Sequence, residues 1–412
     1  MGLPARVPLI RRLPVLIVGG GLSGFTSALS LHRAGIRNNI ITRETKFTQH
    51  ARSGVFLGGS SIRILDRLGL GPQYRSLGTP LYRAVIEDVN GKEIISFRLD
   101  DYGMEVWNVP RQNLQQLLLE SIPPDSVHFG TKFRALHISD GSAHVKVQQA
   151  LDRSGQLIEP KAAYFESKFV VGADGNNSAV RSFMSRPAMT FYSGTSIWRA
   201  VVQNQDTEKY PLHIGKEVWG LKKRFGFARM SPDEVVWWAV LTDLPEVLLR
   251  PFAPHLLREF SDFPEITKDL ILSIESDRSI YRTEMKRVWP EQFPWVDPSS
   301  SRIALVGDAG RPEHFGNLHS GHSFAVEDGY FLAHHLAEQN EKGMLRTGPK
   351  LGRYQESRQE QMIATKQYSA RLDRLSLPQS RIQRYCVRKL LHISFERMAL
   401  HGTGPRIPMF QA

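Results

Sequence analysis

The chain has a single cysteine, Cys386, among 412 residues. One thiol excludes a disulfide scaffold, a thiolate metal cluster and Cys-x-x-Cys redox chemistry. Long apolar runs are missing too, since no stretch reaches the ~20 unbroken apolar residues of a membrane-spanning helix. The most apolar N-terminal run, residues 13–31, is interrupted by Gly19, Gly20, Gly21 and Gly24. Three arginines and no acid occupy the first twelve positions, but no apolar h-region or cleavage site follows. No signal peptide is therefore recognised, and a cytoplasmic location is expected. Gly2 is not read as a myristoylation site, because position 6 is Arg6 rather than Ser or Thr. Internal repeats and low-complexity tracts are absent, and 41% hydrophobic with 23% charged residues exclude disorder over most of the length.

Acidic residues are scarce at one end only. The net charge is +12, and residues 341–412 hold 14 Lys/Arg against 5 Asp/Glu. The basic surplus is thus a property of the tail. No zinc-finger spacing or aromatic-interleaved basic groove accompanies it, so no nucleic-acid partner is expected. The tail reads as a solvated helical face, with peripheral contact to an anionic membrane as the alternative. Within it Arg381, Arg384, Arg388, Lys389 and Arg397 alternate with Ile382, Tyr385, Leu390, Leu391, Phe395 and Met398. That spacing predicts an amphipathic helix docked by its apolar side.

What is present begins with a βαβ unit. Pro14-Val-Leu-Ile-Val18 is long enough for a buried parallel strand, and Gly19-x-Gly21-x-x-Gly24 follows it. Phe25 to Arg33 then reads as a helix, and Ile40-Ile41-Thr42 as the next strand. Glycines at that spacing let the backbone approach a pyrophosphate, whose charge faces the free N–H groups of the helix start. Glu44, 25 residues after Gly19, is placed to accept hydrogen bonds from a nucleotide ribose. The motif by itself leaves NAD and FAD both open.

Further along, Ser60–Leu70, Pro110–Ser121, Pro251–Ile274 and Leu318–Gln339 read as helices. Residues 81–109, 127–149 and 157–171 read as strands, residues 189–243 as a second sheet, and Arg302–Val306 as a buried strand. The last seventy residues read as mostly helical. Phe225, Phe227, Trp237 and Trp238 stay open between a substrate-pocket lining and sheet core. The adjacent pair His334-His335 has no metal-ligand spacing, and no metal is expected.

Two more segments narrow the choice. Val170-Val-Gly-Ala-Asp174-Gly175-Asn-Asn-Ser178-Ala-Val-Arg181 resembles the Asp-Gly motif of the single-component FAD monooxygenases similar to p-hydroxybenzoate hydroxylase. Arg302-Ile-Ala-Leu-Val-Gly307-Asp308-Ala309, closing at Glu327-Asp328, resembles the Gly-Asp motif of the same family. Val109-Pro110-Arg111 resembles its helix start, and Tyr192-Ser-Gly194 with Trp198-Arg199 its substrate-domain strand. Trp219-Gly220, Arg224-Phe225-Gly226 and Val236-Trp237-Trp238 are similar to the urate hydroxylase and zeaxanthin epoxidase-like branch. The resemblance covers about residues 13–340.

This resemblance implies an α/β protein, with a Rossmann-type, glutathione reductase-like FAD-binding domain, an inserted sheet-based substrate domain and a helical C-terminus. The expected boundaries are 1–78, 109–182 and 280–345 for the discontinuous FAD domain, 79–108 and 183–279 for the substrate domain, and 346–412 for the basic helical segment. Gly19, Gly21, Gly24, Glu44, Arg111, Asp174, Asp308 and Gly321 are implied to meet one FAD. Asp308 would take the ribityl chain, Arg111 would face the diphosphate, and the helix start near Gly321 would face the flavin pyrimidine end. Arg199 is implied to lie at the domain boundary near substrate. The implied activity uses NAD(P)H, bound transiently, and O2 to hydroxylate or epoxidise a small organic substrate through a flavin C4a-hydroperoxide. No oligomeric state is assigned.

The Gly-Asp block departs from the family. Arg311 stands at its usual His, the second Pro is missing, its Gln is Ser320, and one residue is inserted. His314, His319 and His322 occupy the altered loop, where alignment back from Glu327-Asp328 puts His319 at a flavin-side glycine. His319 is expected to reach the flavin and move a proton there. The same loop keeps an alternative open, a flavin-binding protein or oxidoreductase with altered or lost oxygenation.

Overall fold

A computed structural model describes residues 9–45, 53–151, 156–242, 250–312, 321–341, 344–345, 351–378 and 380. The expected tail helix over 381–398 lies outside these residues, as do His314 and His319.

The apolar run Leu13–Val18 ends strand β1 (Leu9–Val18), and its side chains from Val15 to Ile17 are fully buried. A strand covered on both faces reads as continuous rather than alternating hydrophobicity, as befits a parallel sheet. α1 (Leu22–Arg33) follows, then β2 (Asn38–Ile41), parallel to β1. This sheet continues through β8 (Val127–His128), β9 (Thr131–Ser139), β10 (Ser142–Leu151) and the long β11 (Leu157–Gly172). Its order is β8-β2-β1-β11-β10-β9. The first half of β11 pairs antiparallel with β10, while its end pairs parallel with β17 (Ile303–Leu305), Val170 opposite Ile303. β1 and β17 thus deliver both glycine-bearing motifs to the same end of the sheet, where ligands of open α/β sheets bind. Helices α4 (Arg111–Glu120) and α7 (Gly321–Ala337) share the apolar core of this sheet with α1.

A second seven-stranded sheet carries the order β16-β12-β15-β14-β13-β5-β6. Its strands are β5 (Arg83–Asp88), β6 (Glu93–Arg98), β12 (Met189–Gln203), β13 (Ile214–Trp219), β14 (Lys223–Ser231), β15 (Glu234–Leu241) and β16 (Tyr281–Trp289). One face packs on α5 (Ala253–Glu259) and α6 (Glu265–Leu272) through Trp198, Phe225, Phe227, Trp237, Leu256, Phe260 and Leu270. Three of the four aromatics left open by sequence are therefore core on this face, and Trp238 belongs to an apolar cluster on the other. Trp238 points the other way, edge-on to Phe56 at 5.4 Å, with its Nε1 donating to Glu217 at 2.7 Å. A three-stranded sheet, β3 (Gly54–Gly58), β7 (Val106–Pro110) and β4 (Thr79–Leu81), stands between the two large ones. The remaining helices of the body are α2 (Ser60–Arg67) and α3 (Gly71–Leu77).

Three sequence expectations need correction. β16 pairs with β12 in the second sheet, Ile197 opposite Thr283, so the FAD-domain segment drawn from residue 280 starts too early. The single helix expected over 251–274 is two, because Pro264 cannot continue the first. The helix expected from Leu318 to Gln339 ends at Ala337, while its expected start, residues 318–320, lies outside the described residues.

The C-terminal part is α8 (Gly352–Ser376). The Tyr354 hydroxyl donates to the Leu305 carbonyl at 2.8 Å, and Gln355 Oε1 accepts from the backbone N–H groups of Trp295 and Val296. Beyond the helix, the Pro378 carbonyl accepts from the Lys222 N–H of the second sheet at 3.2 Å. Among the described residues no helix is long and apolar enough to cross a membrane.

Candidate functional site

The turn after β1 is made by backbone touching backbone. Gly19 has φ +117°, and a Cβ there would lie 2.3 Å from the Ala173 carbonyl oxygen. A Cβ on Gly24 would lie 2.0 Å from the Gly19 carbonyl oxygen. No larger residue fits either place without displacing main chain. Gly21 caps α1 without a side-chain hydrogen bond, so the first N–H groups of the helix face outward unpaired by the helix itself.

They face a cavity lined by segments from across the chain. Gly21, Leu22 and Ser23 come from α1, Arg111 from α4, and Ala173, Gly175 and Asn176 from the loop after β11. Gly307, Asp308 and Arg311 follow β17, and Gly321, His322, Phe324 and Ala325 open α7. Ile197 and Arg199 on β12, with Tyr281 and Thr283 on β16, come from the second sheet. Five of the residues singled out in sequence, Gly21, Arg111, Asp308, Gly321 and Arg199, thus share one cavity.

Three others stand differently. Asp174 is half-buried beside the cavity, but its carboxylate turns to its own loop, accepting from Ser178 Oγ at 2.5 Å and from the N–H groups of Ala179 and Val180 at 2.7 and 3.1 Å. Burial pushes its carboxyl above the usual range against those donors. Glu44 lies just past β2, more than half exposed, 3.8 Å from Arg43, and outside the lining. His319 falls outside the described residues, whereas its neighbour His322 lines the cavity.

Arg199 Nη1 donates to Thr283 Oγ1 at 3.2 Å. Burial pulls its pKa down to about 10, with Tyr281 and Asp308 opposing and Arg111 and Arg224 adding to the shift. It therefore stays cationic at neutral pH. Arg111 sits at the start of α4 with its Nε buried and lacking a hydrogen-bond partner among the described residues.

Arg311 is a site residue that sequence reading met only as a departure. It is 3% exposed, its Nη2 bonds Asp328 Oδ2 at 2.5 Å, and its guanidinium covers the Phe324 ring at 4.0 Å. Asp328 also accepts from the Gly307 N–H at 3.0 Å and from Arg358 Nε at 2.7 Å. Arg358 Nη2 reaches Glu327 at 2.9 Å, and Glu327 takes further donors from Gln361 and the Ser60 hydroxyl. Burial works against the Arg358 charge, but Asp328 and Glu327 outweigh it and raise its pKa. Two guanidiniums and two carboxylates thus balance in the interior, which buried charges require. The signal for Arg358 lay in pairing across elements, which no local motif carries.

His334 pairs with Glu338 at 3.5 Å and His335 Nδ1 meets the Phe331 carbonyl at 2.9 Å. Among the described residues no group of three His, Cys, Asp or Glu could hold a metal ion. The cavity's chemistry is of another kind: a helix start, the buried Arg111 Nε, a buried Arg311 Nη1 also without a partner among the described residues, and open space where a Gly21 Cβ would stand. Such donors suit a nucleotide carrying a diphosphate.

Comparison with known proteins agrees. The sequence model of the FAD binding domain family matches residues 12–363. The chain is 29% identical over 334 residues to the aurachin C monooxygenase/isomerase of Stigmatella aurantiaca, covering 80% of this chain and 82% of the relative. It is 27% identical over 330 residues to the 2-heptyl-3-hydroxy-4(1H)-quinolone synthase of Pseudomonas aeruginosa, covering 78% and 80%. In fold it is similar to Klebsiella pneumoniae HpxO in complex with FAD and uric acid, with TM-score 0.78, 19% identity and 95% of each chain covered. A salicylate hydroxylase substrate complex gives TM-score 0.74 at 17% identity over 97% of each chain.

Proposed function

The chain belongs to the FAD binding domain family, as an enzyme of the FAD-dependent monooxygenases, and from that premise we propose that it uses NAD(P)H and O2 to place one oxygen atom on a small planar organic substrate. The observation that carries this reading is the shared cavity, in which the start of α1, Arg111 and Asp308 meet Arg199, Tyr281 and Thr283 of the second sheet. Cofactor-type and substrate-type residues thereby face the same space. The chemistry that FAD supplies when bound is two-electron reduction by NAD(P)H and activation of O2 for oxygen transfer.

The protein's share is binding, orientation and exclusion of water. In this reading the α1 N–H groups and Arg111 hold the diphosphate, and Asp308 takes the ribityl hydroxyls. Glu44 meets the adenosine ribose, and Asp174 braces the loop whose Gly175 and Asn176 line the site. Arg199, fixed by Thr283, offers a buried cation to negative charge on the substrate ring. Ile197 and Phe324 contribute apolar wall, which strengthens that attraction by keeping water out. NAD(P)H docks transiently, because the sequence has one Gly-rich dinucleotide turn. The P. aeruginosa relative is named for a hydroxylated quinolone, and a hydroxylated or oxo-substituted aromatic heterocycle is the substrate class we favour.

The test is oxidation of NADH and NADPH by the purified yellow protein against phenolic, purine and quinolone compounds, with O2 uptake, product and hydrogen peroxide measured together. A substrate that accelerates NAD(P)H use and returns product in step with O2 consumed is the expected result. Electrons appearing wholly as peroxide with every compound would overturn oxygenation in favour of an oxidase.

A further inference from the structure

FAD has two places where a protein meets negative charge. The diphosphate is always charged. The ring becomes charged on reduction, because hydride transfer from NAD(P)H brings two electrons and one proton, releases NAD(P)⁺ and leaves one negative charge on the ring. The cavity has two positive regions to match. The start of α1 with Arg111 is the first. The start of the 17-residue α7, with no acidic residue in its first turn, forms the second together with Arg311.

We propose that Arg311 Nη1 donates to the flavin ring as reduction charges it, so that a buried guanidinium in this chain stabilises the reduced cofactor where the family it resembles has a histidine. The inference rests on the cavity being the FAD site.

Three observations carry it. Arg311 lines the cavity, is 3% exposed, and has one buried terminal nitrogen, Nη1, with no hydrogen-bond partner among the described residues. A buried guanidinium N–H left unpaired is costly, so a partner from a bound ligand resolves a defect the protein would otherwise carry. Nothing about this donor must reorganise at the moment of reduction. Nη2 is anchored on Asp328, the plane lies on Phe324, and Trp295 stands 5.4 Å away on its ring centroid. A preorganised donor of that kind favours whichever state of its partner is more negative. Asp328 does not cancel the effect, because its carboxylate is shared with Arg358 and the Gly307 N–H. Arginine also keeps its charge at any working pH, which histidine does not.

The decisive measurement is the midpoint potential of the FAD-loaded protein. Arg311→Lys keeps a cation for Asp328 but removes the second terminal nitrogen, and Arg311→His installs the family residue. Either is expected to weaken binding of reduced FAD roughly tenfold more than oxidised FAD, which lowers a two-electron potential by about 30 mV. Arg358→Lys is the control, being in the same network but outside the cavity lining, and should lower melting temperature without moving the potential. An unchanged potential in both Arg311 variants overturns the proposal. So does an equal shift in Arg358→Lys, which would mark general loosening, and so does equal weakening of oxidised and reduced FAD, which would mark a diphosphate contact. Wild-type protein that holds no FAD would instead defeat the cofactor reading itself.

Discussion

Glycines 21 and 24 sit three residues apart in one motif yet do separate jobs. Gly24 is packed against the Gly19 carbonyl, where a Cβ would come within 2.0 Å, whereas nothing lies within 4 Å of a Cβ on Gly21. Gly21 also has an ordinary extended backbone, φ −92°. Gly24→Ala is therefore expected to destabilise the protein even without cofactor, by roughly 1–3 kcal/mol from overpacking. Gly21→Ala should leave apoprotein stability within about 0.5 kcal/mol while weakening FAD binding by roughly tenfold or more, about 1.4 kcal/mol. Chemical denaturation of apoprotein and flavin-fluorescence titration separate the two, and equal stability losses in both variants would refute the division. At this scale the sequence was legible where a residue's task is local. The glycine spacing could be read from its neighbours alone, whereas Arg111 and Asp308 were singled out by the resemblance of short motifs, and both line the cavity. Arg311 could not be placed, because its role is fixed by Asp328, 17 residues on, and by the ring of Phe324.

Among the elements, β17 is short for a demanding task. It is three residues long, yet it must carry Gly307 and Asp308 to the cavity. Asp297 holds the approach to it. One carboxylate oxygen accepts from the Ser185 N–H and hydroxyl at 2.7 Å each, and the other from the Ser300 N–H and hydroxyl at 2.9 and 2.7 Å. Burial favours the protonated acid, but these four donors outweigh it and hold the pKa below the usual value. A depressed carboxylate pKa contributes stability that is present above the unfolded value, about 3.9, and is lost as pH falls through the folded value. Asp297→Asn should thus cost about 2 kcal/mol near neutrality, and the gap to wild type should narrow below about pH 4. Urea melts across that range check it, and a gap that stays constant into acid would sink it. The strands that alternate or run apolar were readable in sequence. β16 was not recognised as part of the second sheet, since an edge strand reading Tyr-Arg-Thr-Glu-Met-Lys-Arg-Val-Trp shows no clean apolar alternation. α8 was readable as a helix, but its docking depends on Tyr354 and Arg358 reaching partners on β17 and α7.

At the scale of the whole molecule, the cavity is where two independently built sheets meet. Each has its own apolar core, one around β1, β11 and β17 and the other around Trp198, Trp237 and α5–α6. The C-terminal part adds a link between them, with Tyr354 of α8 on Leu305 and Pro378 just beyond the helix on Lys222. A ligand filling the cavity touches residues of both, from Gly21 and Asp308 on one part to Arg199 and Thr283 on the other. Binding to the folded state alone adds about 2.7 kcal/mol when free ligand stands 100-fold above its dissociation constant. FAD is therefore expected to raise the melting temperature by several degrees, in a manner that keeps rising with the logarithm of free FAD. Because its contacts span the junction, the gain should appear equally in a far-ultraviolet signal and in tryptophan fluorescence, to which the buried Trp198 and Trp237 of one sheet and Trp295 of the other contribute. Removing FAD should let the two signals separate, as each sheet melts with its own core, joined to the other by the three-stranded sheet and the C-terminal link. Coincident melting with and without FAD would mean that the protein contacts already join the two halves. No response to FAD at all would remove the cofactor from this junction.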